Sequence, residues 1–144
     1  MSEPRRTAEE LLCAATGARR VVRVCPACGS DRHGRPVAVG SPAHLSISYA
    51  DGLVAVAWSY DGPVGIDVER DLAGDRQEWT RVEALLKATG EGLRAWPDVV
   101  LPDLPTAPLA LPAGFAGTVA GSAAGWRFEF IGRPMNRVVS SDDR

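Results

Sequence analysis

Three acidic side chains and a lysine have the spacing to do chemistry together. Asp67 and Glu69 stand two residues apart in PVGIDVER, residues 63–70, a stretch otherwise apolar enough to be a core strand. On a strand, residues i and i+2 face the same side, so the carboxylates point together while Ile66 and Val68 point into the other layer. Two unpaired carboxylates side by side repel, and the pKa of one of them rises. A divalent cation removes that penalty, and hard oxygen ligands on a rigid element suit Mg²⁺. The alternative is a solvated edge strand with Glu69 paired to a local arginine.

A second segment supplies the complement. In RQEWTRVEALLKATG, residues 76–90, Glu83 and Lys87 are four apart, hence on one helix face. By itself this is a surface ion pair of small value. Placed against Asp67 and Glu69, Glu83 would be a third metal ligand and Lys87 would meet a phosphate. That set suggests phosphoryl transfer from a Mg²⁺-bound pyrophosphate.

The elements that must position these groups can be read in outline. TAEELLCAAT, residues 7–16, fits a short helix capped by Thr7 and stopped at Gly17. ARRVVRVC (18–25) has strand character, and CPACGSDRHGRP (25–36) has loop chemistry. HLSISYA (44–50) alternates, with Leu45, Ile47 and Tyr49 on one side and Ser46 and Ser48 on the other. Asp51-Gly52 turns it into LVAVAWSY (53–60), and Asp61-Gly62 leads on to PVGIDVER. Two tight turns joining three strands predict an antiparallel meander. In 76–90, Trp79, Val82, Leu86 and Thr89 follow the helical period and Gly90 sits where a C-cap would. Residues 96–114 hold five prolines and predict a loop; 115–121 and 126–132 predict a closing hairpin, followed by a tail that frays.

Composition bounds the classes. With 45% hydrophobic residues the chain of 144 can build a core, and wholesale disorder is excluded. A net charge of -2 gives no general attraction for nucleic acid or membrane, and no stretch approaches transmembrane length. Arg5, Arg6, Arg19, Arg20, Arg23, Arg32 and Arg35 gather early, as a solvated face or as phosphate ligands. MSEPRRTAEELL lacks an apolar leader core, and three cysteines, an odd count, do not make a disulfide scaffold, so a reducing cytoplasm is expected. Cys25 and Cys28 with His33 form one zinc knuckle, whereas a structural zinc needs four ligands.

VGIDVE (64–69) followed by WTRVEALLKATGEGL (79–93) resembles the paired signature of the 4′-phosphopantetheinyl transferases, a G-[IV]-D-x-E strand and then a W-x-x-x-E-[AS]-x-x-K-x-x-G-x-G helix. Gly65, Asp67, Glu69, Trp79, Glu83, Ala84, Lys87, Gly90 and Gly92 match. CPACGSDRHGRPVAVG (25–40) resembles a C-x-x-C-G-x-x-x-H-G-[KR]-P stretch of the larger, Sfp-like members, and HLSISYADGLVAVAW (44–58) the segment with their S-x-S-H-S-type motif. Two motifs in the right order are more specific than either alone.

The resemblance implies an α+β fold of antiparallel sheets with packed helices, built as a pseudo-dimer: a shortened half-domain over 1–61 and a second half over 62–144 with the metal motifs. It implies transfer of the 4′-phosphopantetheine arm of coenzyme A to a serine of an acyl or peptidyl carrier protein, releasing 3′,5′-ADP. Asp67, Glu69 and Glu83 would hold Mg²⁺, Glu83 would take the serine proton, and Lys87 would contact the α-phosphate. Arg35, Ser46 and His33 would border the nucleotide. Against the family pattern, the chain starts late, Ile47 replaces a phosphate-binding histidine, Val82 replaces a lysine, and only residues 70–78 separate the two motifs. The smallest members build their sites between subunits, so a homo-oligomer is among the expectations. The competing expectation is a repurposed homologue that binds coenzyme A or a carrier protein without transferring the arm.

Overall fold

A computed structural model describes residues 1–25, 28–29, 34–90, 100–121, 126–132 and 137–140, the last two stretches largely as backbone. Helix α1, Glu3–Thr16, begins earlier than the sequence suggests. Ser2, not Thr7, caps it, its side chain accepting the Arg5 N–H at 3.3 Å. Pro4 is tolerated in the first turn, where no backbone partner is lost. Gly17, at φ 77°, ends the helix as expected, its N–H bonding Cys13 O.

Strands β1 (Arg20–Val24), β2 (Arg35–Val39), β3 (His44–Ala50) and β4 (Leu53–Ser59) run as successive antiparallel neighbours. β2 begins within the stretch read as loop, with Arg35 and Pro36: Pro36 lies opposite Arg23 in the ladder that begins the sheet. The β3–β4 hairpin is as expected. Asp51 and Gly52 have φ of 37° and 87°, both positive as a tight two-residue hairpin requires, and Ala50 pairs with Leu53.

The third strand departs from the meander. β5 (Val64–Arg70) does not pair with β4 but crosses into a second sheet, of order β5-β7-β6, with β7 at Phe115–Gly121 and β6 at Thr106–Pro108. The Asp61-Gly62 turn differs from the first in its backbone angles. Asp61 is not among the positive-φ residues, Gly62 is nearly extended at φ 157°, and Pro63 follows with no N–H to pair. The expected closing hairpin is also absent. β7 joins β5, whereas β8 (Trp126–Gly132) joins β4, completing a six-stranded sheet of order β1-β2-β3-β4-β8-β9. Its last strand, β9 (Arg137–Ser140), lies in the tail expected to fray, and β6 lies in the proline-rich loop.

Among the described residues the architecture is thus α+β, with antiparallel sheets and two helices in four layers. α1 covers one face of the large sheet, where Ala8 and Leu12 pack on Leu45, Val54, Val56 and Trp58. The opposite face carries Leu53, Ala55, Ala57 and Phe128, which pack on Val64, Ile66, Val68 and Val119 of the small sheet. α2 (Gln77–Thr89) covers the outer face of the small sheet. The chain crosses between the sheets after β4, between Ser59 and Val64, and β8 and β9 return to the first. Among the described residues no helix is long and apolar enough to cross a membrane.

The α2 face against the small sheet is one register away from the apolar row read in the sequence. Gln77, Thr80, Ala84 and Ala88 meet it, while Val82 and Leu86 are buried beside them. Gln77 Nε2 donates to Gly117 O and Thr118 Oγ1, both at 2.9 Å, and Thr80 and Thr118 hydroxyls bond at 2.8 Å. Small residues let the backbones touch. A methyl at Gly65 would collide with the Ala84 carbonyl and come within 2.8 Å of the Ala88 N. Gly65→Ala should therefore push α2 off β5 and lower stability by about 1–3 kcal/mol. Urea denaturation checks this, and an unchanged midpoint would refute the close-contact role.

Candidate functional site

The Gly65 contact brings the two motifs together. Asp67 lies two residues along the same strand face, and Glu83 and Lys87 flank Ala84 and Ala88 on the helix. Asp67 is 3% exposed; Glu69, Glu83 and Lys87 are half-buried. Burial pushes the Asp67 carboxyl up to about 7. The Lys87 ammonium pulls the other way, and Glu69 and Glu83 add to the rise. Glu83 is likewise raised, first by burial, with Lys87 opposing and Glu69 reinforcing. The three acids therefore sense one another, and desolvation outweighs the lysine at Asp67.

Lys87 has more partners than an ion pair. Its Nζ donates to Ile66 O at 3.0 Å and Ile47 O at 3.1 Å, and stands 3.4 Å from Asp67 Oδ1. Three acceptors match the three protons of an ammonium. Two of them are backbone carbonyls on β5 and β3, so Lys87 ties the two sheets together.

The same junction uses Ser46 and Ser48. β5 is the edge of its sheet, and the N–H groups on its free side face β3. Ser46 Oγ accepts the Ile66 N–H at 3.0 Å, and Ser48 Oγ the Val68 N–H at 3.0 Å. The Ser48 hydroxyl proton has Asp67 Oδ1 at 3.4 Å and Val68 O at 3.5 Å as acceptors. Asp67 Oδ2 is buried with no hydrogen-bond partner.

The other expected site residues spread outward. Ser46 is buried in this junction and its hydroxyl is engaged by β5. Arg35 lies over the C-terminal end of α2; a methyl on Gly90 would fall 2.9 Å from its Nη1. A guanidinium there complements the negative end of the helix. His33 lies outside the described residues, so the zinc knuckle is seen in part: Cys25 is buried and Cys28 exposed. Ser48 was not among the expected site residues. Its signal was present, because serines on a core-facing strand side must find polar partners.

Asp67, with its buried and unpartnered Oδ2, Glu69 and Glu83 are of the oxygen-donor type that a hard divalent ion takes. The side chains as they stand do not form a closed cage. Among the described residues no group of three or more His, Cys, Asp and Glu side chains is arranged to hold a metal ion. Comparison with protein families, with curated proteins and with solved structures finds no match to this chain.

Two outcomes follow. The raised Asp67 pKa means the folded state holds this proton more tightly than the unfolded chain does. Its cost is absent below about pH 4 and grows as the pH rises to about 7. In metal-free buffer the wild-type melting temperature should fall across that window relative to Asp67→Asn; parallel profiles would contradict the assignment. Lys87→Met removes the shared donor of two part-buried carbonyls and should cost about 1–3 kcal/mol in urea denaturation. A variant as stable as wild type would show that the clamp is not structural.

Proposed function

We propose that the chain is a 4′-phosphopantetheinyl transferase, moving the phosphopantetheine arm of coenzyme A to a serine of an acyl or peptidyl carrier protein. The observation that supports this reading is the packing of α2 on β5 at Gly65, which sets Lys87 3.4 Å from Asp67 and brings Glu69 and Glu83 within electrostatic reach of that carboxyl. The motif resemblance and this contact agree, because the strand glycine and the helix alanine are the two residues that touch.

The chain's residues would divide the work as follows. Asp67 Oδ2, Glu69 and Glu83 would hold Mg²⁺, which supplies charge neutralisation at the pyrophosphate. Glu83, with its pKa raised and half-exposed, is suited to take the proton from the carrier serine as Oγ bonds to the β-phosphorus. The bond from that phosphorus to the bridging oxygen breaks, and 3′,5′-ADP leaves. Lys87, whose positive charge lies beside Asp67, would contact the α-phosphate and stabilise the charge that develops on the leaving group. Arg35, at the same end of α2 as Lys87, would meet the nucleotide phosphates. On this proposal the fold is two half-domains that would meet at 61/62, with the substrate cleft between them, and a homo-oligomer would combine two such sites.

One observation favours a second reading, a homologue that binds coenzyme A or a carrier protein without transfer. Lys87 already has three internal acceptors, which leaves it no free proton for a phosphate.

The test combines the protein, coenzyme A, Mg²⁺ and a panel of apo carrier proteins, read by intact mass. A phosphopantetheine adduct that is lost in Glu83→Gln by a factor of about 100 or more supports the transferase. Binding of coenzyme A in calorimetry with no adduct on any carrier would replace it by the second reading.

A further inference from the structure

Ser46 and Ser48 perform the same backbone task on neighbouring amides of β5, each accepting at 3.0 Å. They differ in what the hydroxyl proton can reach. Ser48 has the Asp67 carboxylate at 3.4 Å, and a charged acceptor outcompetes the Val68 carbonyl at 3.5 Å. The Val68 N–H holds the Ser48 oxygen by a lone pair, which leaves its proton free to turn to Asp67.

The Asp67 carboxylate is thus occupied on one side. Oδ1 faces Ser48 and Lys87, while Oδ2 is buried and without a partner. A buried carboxylate oxygen left open costs free energy unless something else binds it. Groups that hold a ligand by its second atom fix the ligand's rotation, and their loss weakens metal sites without touching the metal.

We propose that Ser48 is a positioning residue for Asp67: with Lys87 it fixes Oδ1, which leaves the buried Oδ2 as the carboxylate atom without a protein partner and so the one available to a cation. The inference rests on the cation reading given above and assigns a residue that reading did not include. Ser46, with the same backbone role and no contact to Asp67, is the internal control.

The experiment titrates the full chain with Mn²⁺ alone, reading free ion by electron paramagnetic resonance, for wild type, Ser46→Ala, Ser48→Ala and Ser48→Thr. Both alanine variants should lose similar stability in urea, since each orphans one amide. Ser48→Ala alone should weaken Mn²⁺ binding, by about 10-fold or more, and Ser48→Thr should recover most of it. Should Ser48→Ala fail to fold, Ser48→Cys takes its place, keeping the volume with a poor donor and acceptor. Equal Mn²⁺ affinity in Ser46→Ala and the position-48 variant would overturn the positioning role while leaving the cation site standing. A wild type that binds no Mn²⁺ would overturn both the role and the cation reading beneath it.

Discussion

The structure depends on how one strand edge is satisfied. β5 pairs with β7 on one side only, and its other side is buried against β3 of a different sheet. An edge strand ordinarily shows its free N–H and C=O groups to water. Here Ile66 and Val68 turn theirs into the protein, where each unmatched group would cost about 1–3 kcal/mol. Two serine hydroxyls and one lysine ammonium take the place of a neighbouring backbone. Side chains reach farther than a ladder bond, so β3 and β5 need not align, and the chain can cross from one sheet to the other.

That solution decides where charge can go. Lys87 reaches the junction because α2 lies directly on β5, and α2 lies there because Gly65 faces Ala84 and Ala88. The ammonium at the junction then makes a buried aspartate tolerable, but not fully. Desolvation still outweighs Lys87 at Asp67, with Glu69 and Glu83 adding repulsion. A core strand with two carboxylates is therefore a consequence of helix packing as much as of the strand itself.

Much of this was legible, in proportion to how local the cause was. Gly17 and Gly90 stop their helices because a left-handed residue is a local need, and Asp51-Gly52 makes a hairpin for the same reason. The alternation in HLSISYA announced two faces, and both are used. The crossing of β5 was not legible from an Asp-Gly pair, because the two turns differ in backbone angles that the same dipeptide allows. The face of α2 was misread for a related reason. Its contact row sets Gln77, Thr80, Ala84 and Ala88 beside Leu85, and four of the five are small or polar positions that hydrophobicity ranks low but close packing and hydrogen bonds to β7 require. The meeting of Lys87 with Asp67 could be read from spacing and motif, whereas the bonds of Ser48 needed the junction itself.

Lys87 joins the question of stability to that of chemistry. As a clamp it must stay where it is, since its departure exposes two carbonyls and strips Asp67 of its nearest positive charge. As a phosphate ligand it would have to exchange at least one of those partners. The one most readily exchanged is Asp67, at 3.4 Å the longest of the three contacts. A divalent ion at Oδ2 would remove the need for the lysine at Oδ1, since the carboxylate would have its counter-charge. In that order the ammonium could turn toward a phosphate while keeping both backbone carbonyls, so the clamp and the chemistry are compatible when the acids are neutralised first.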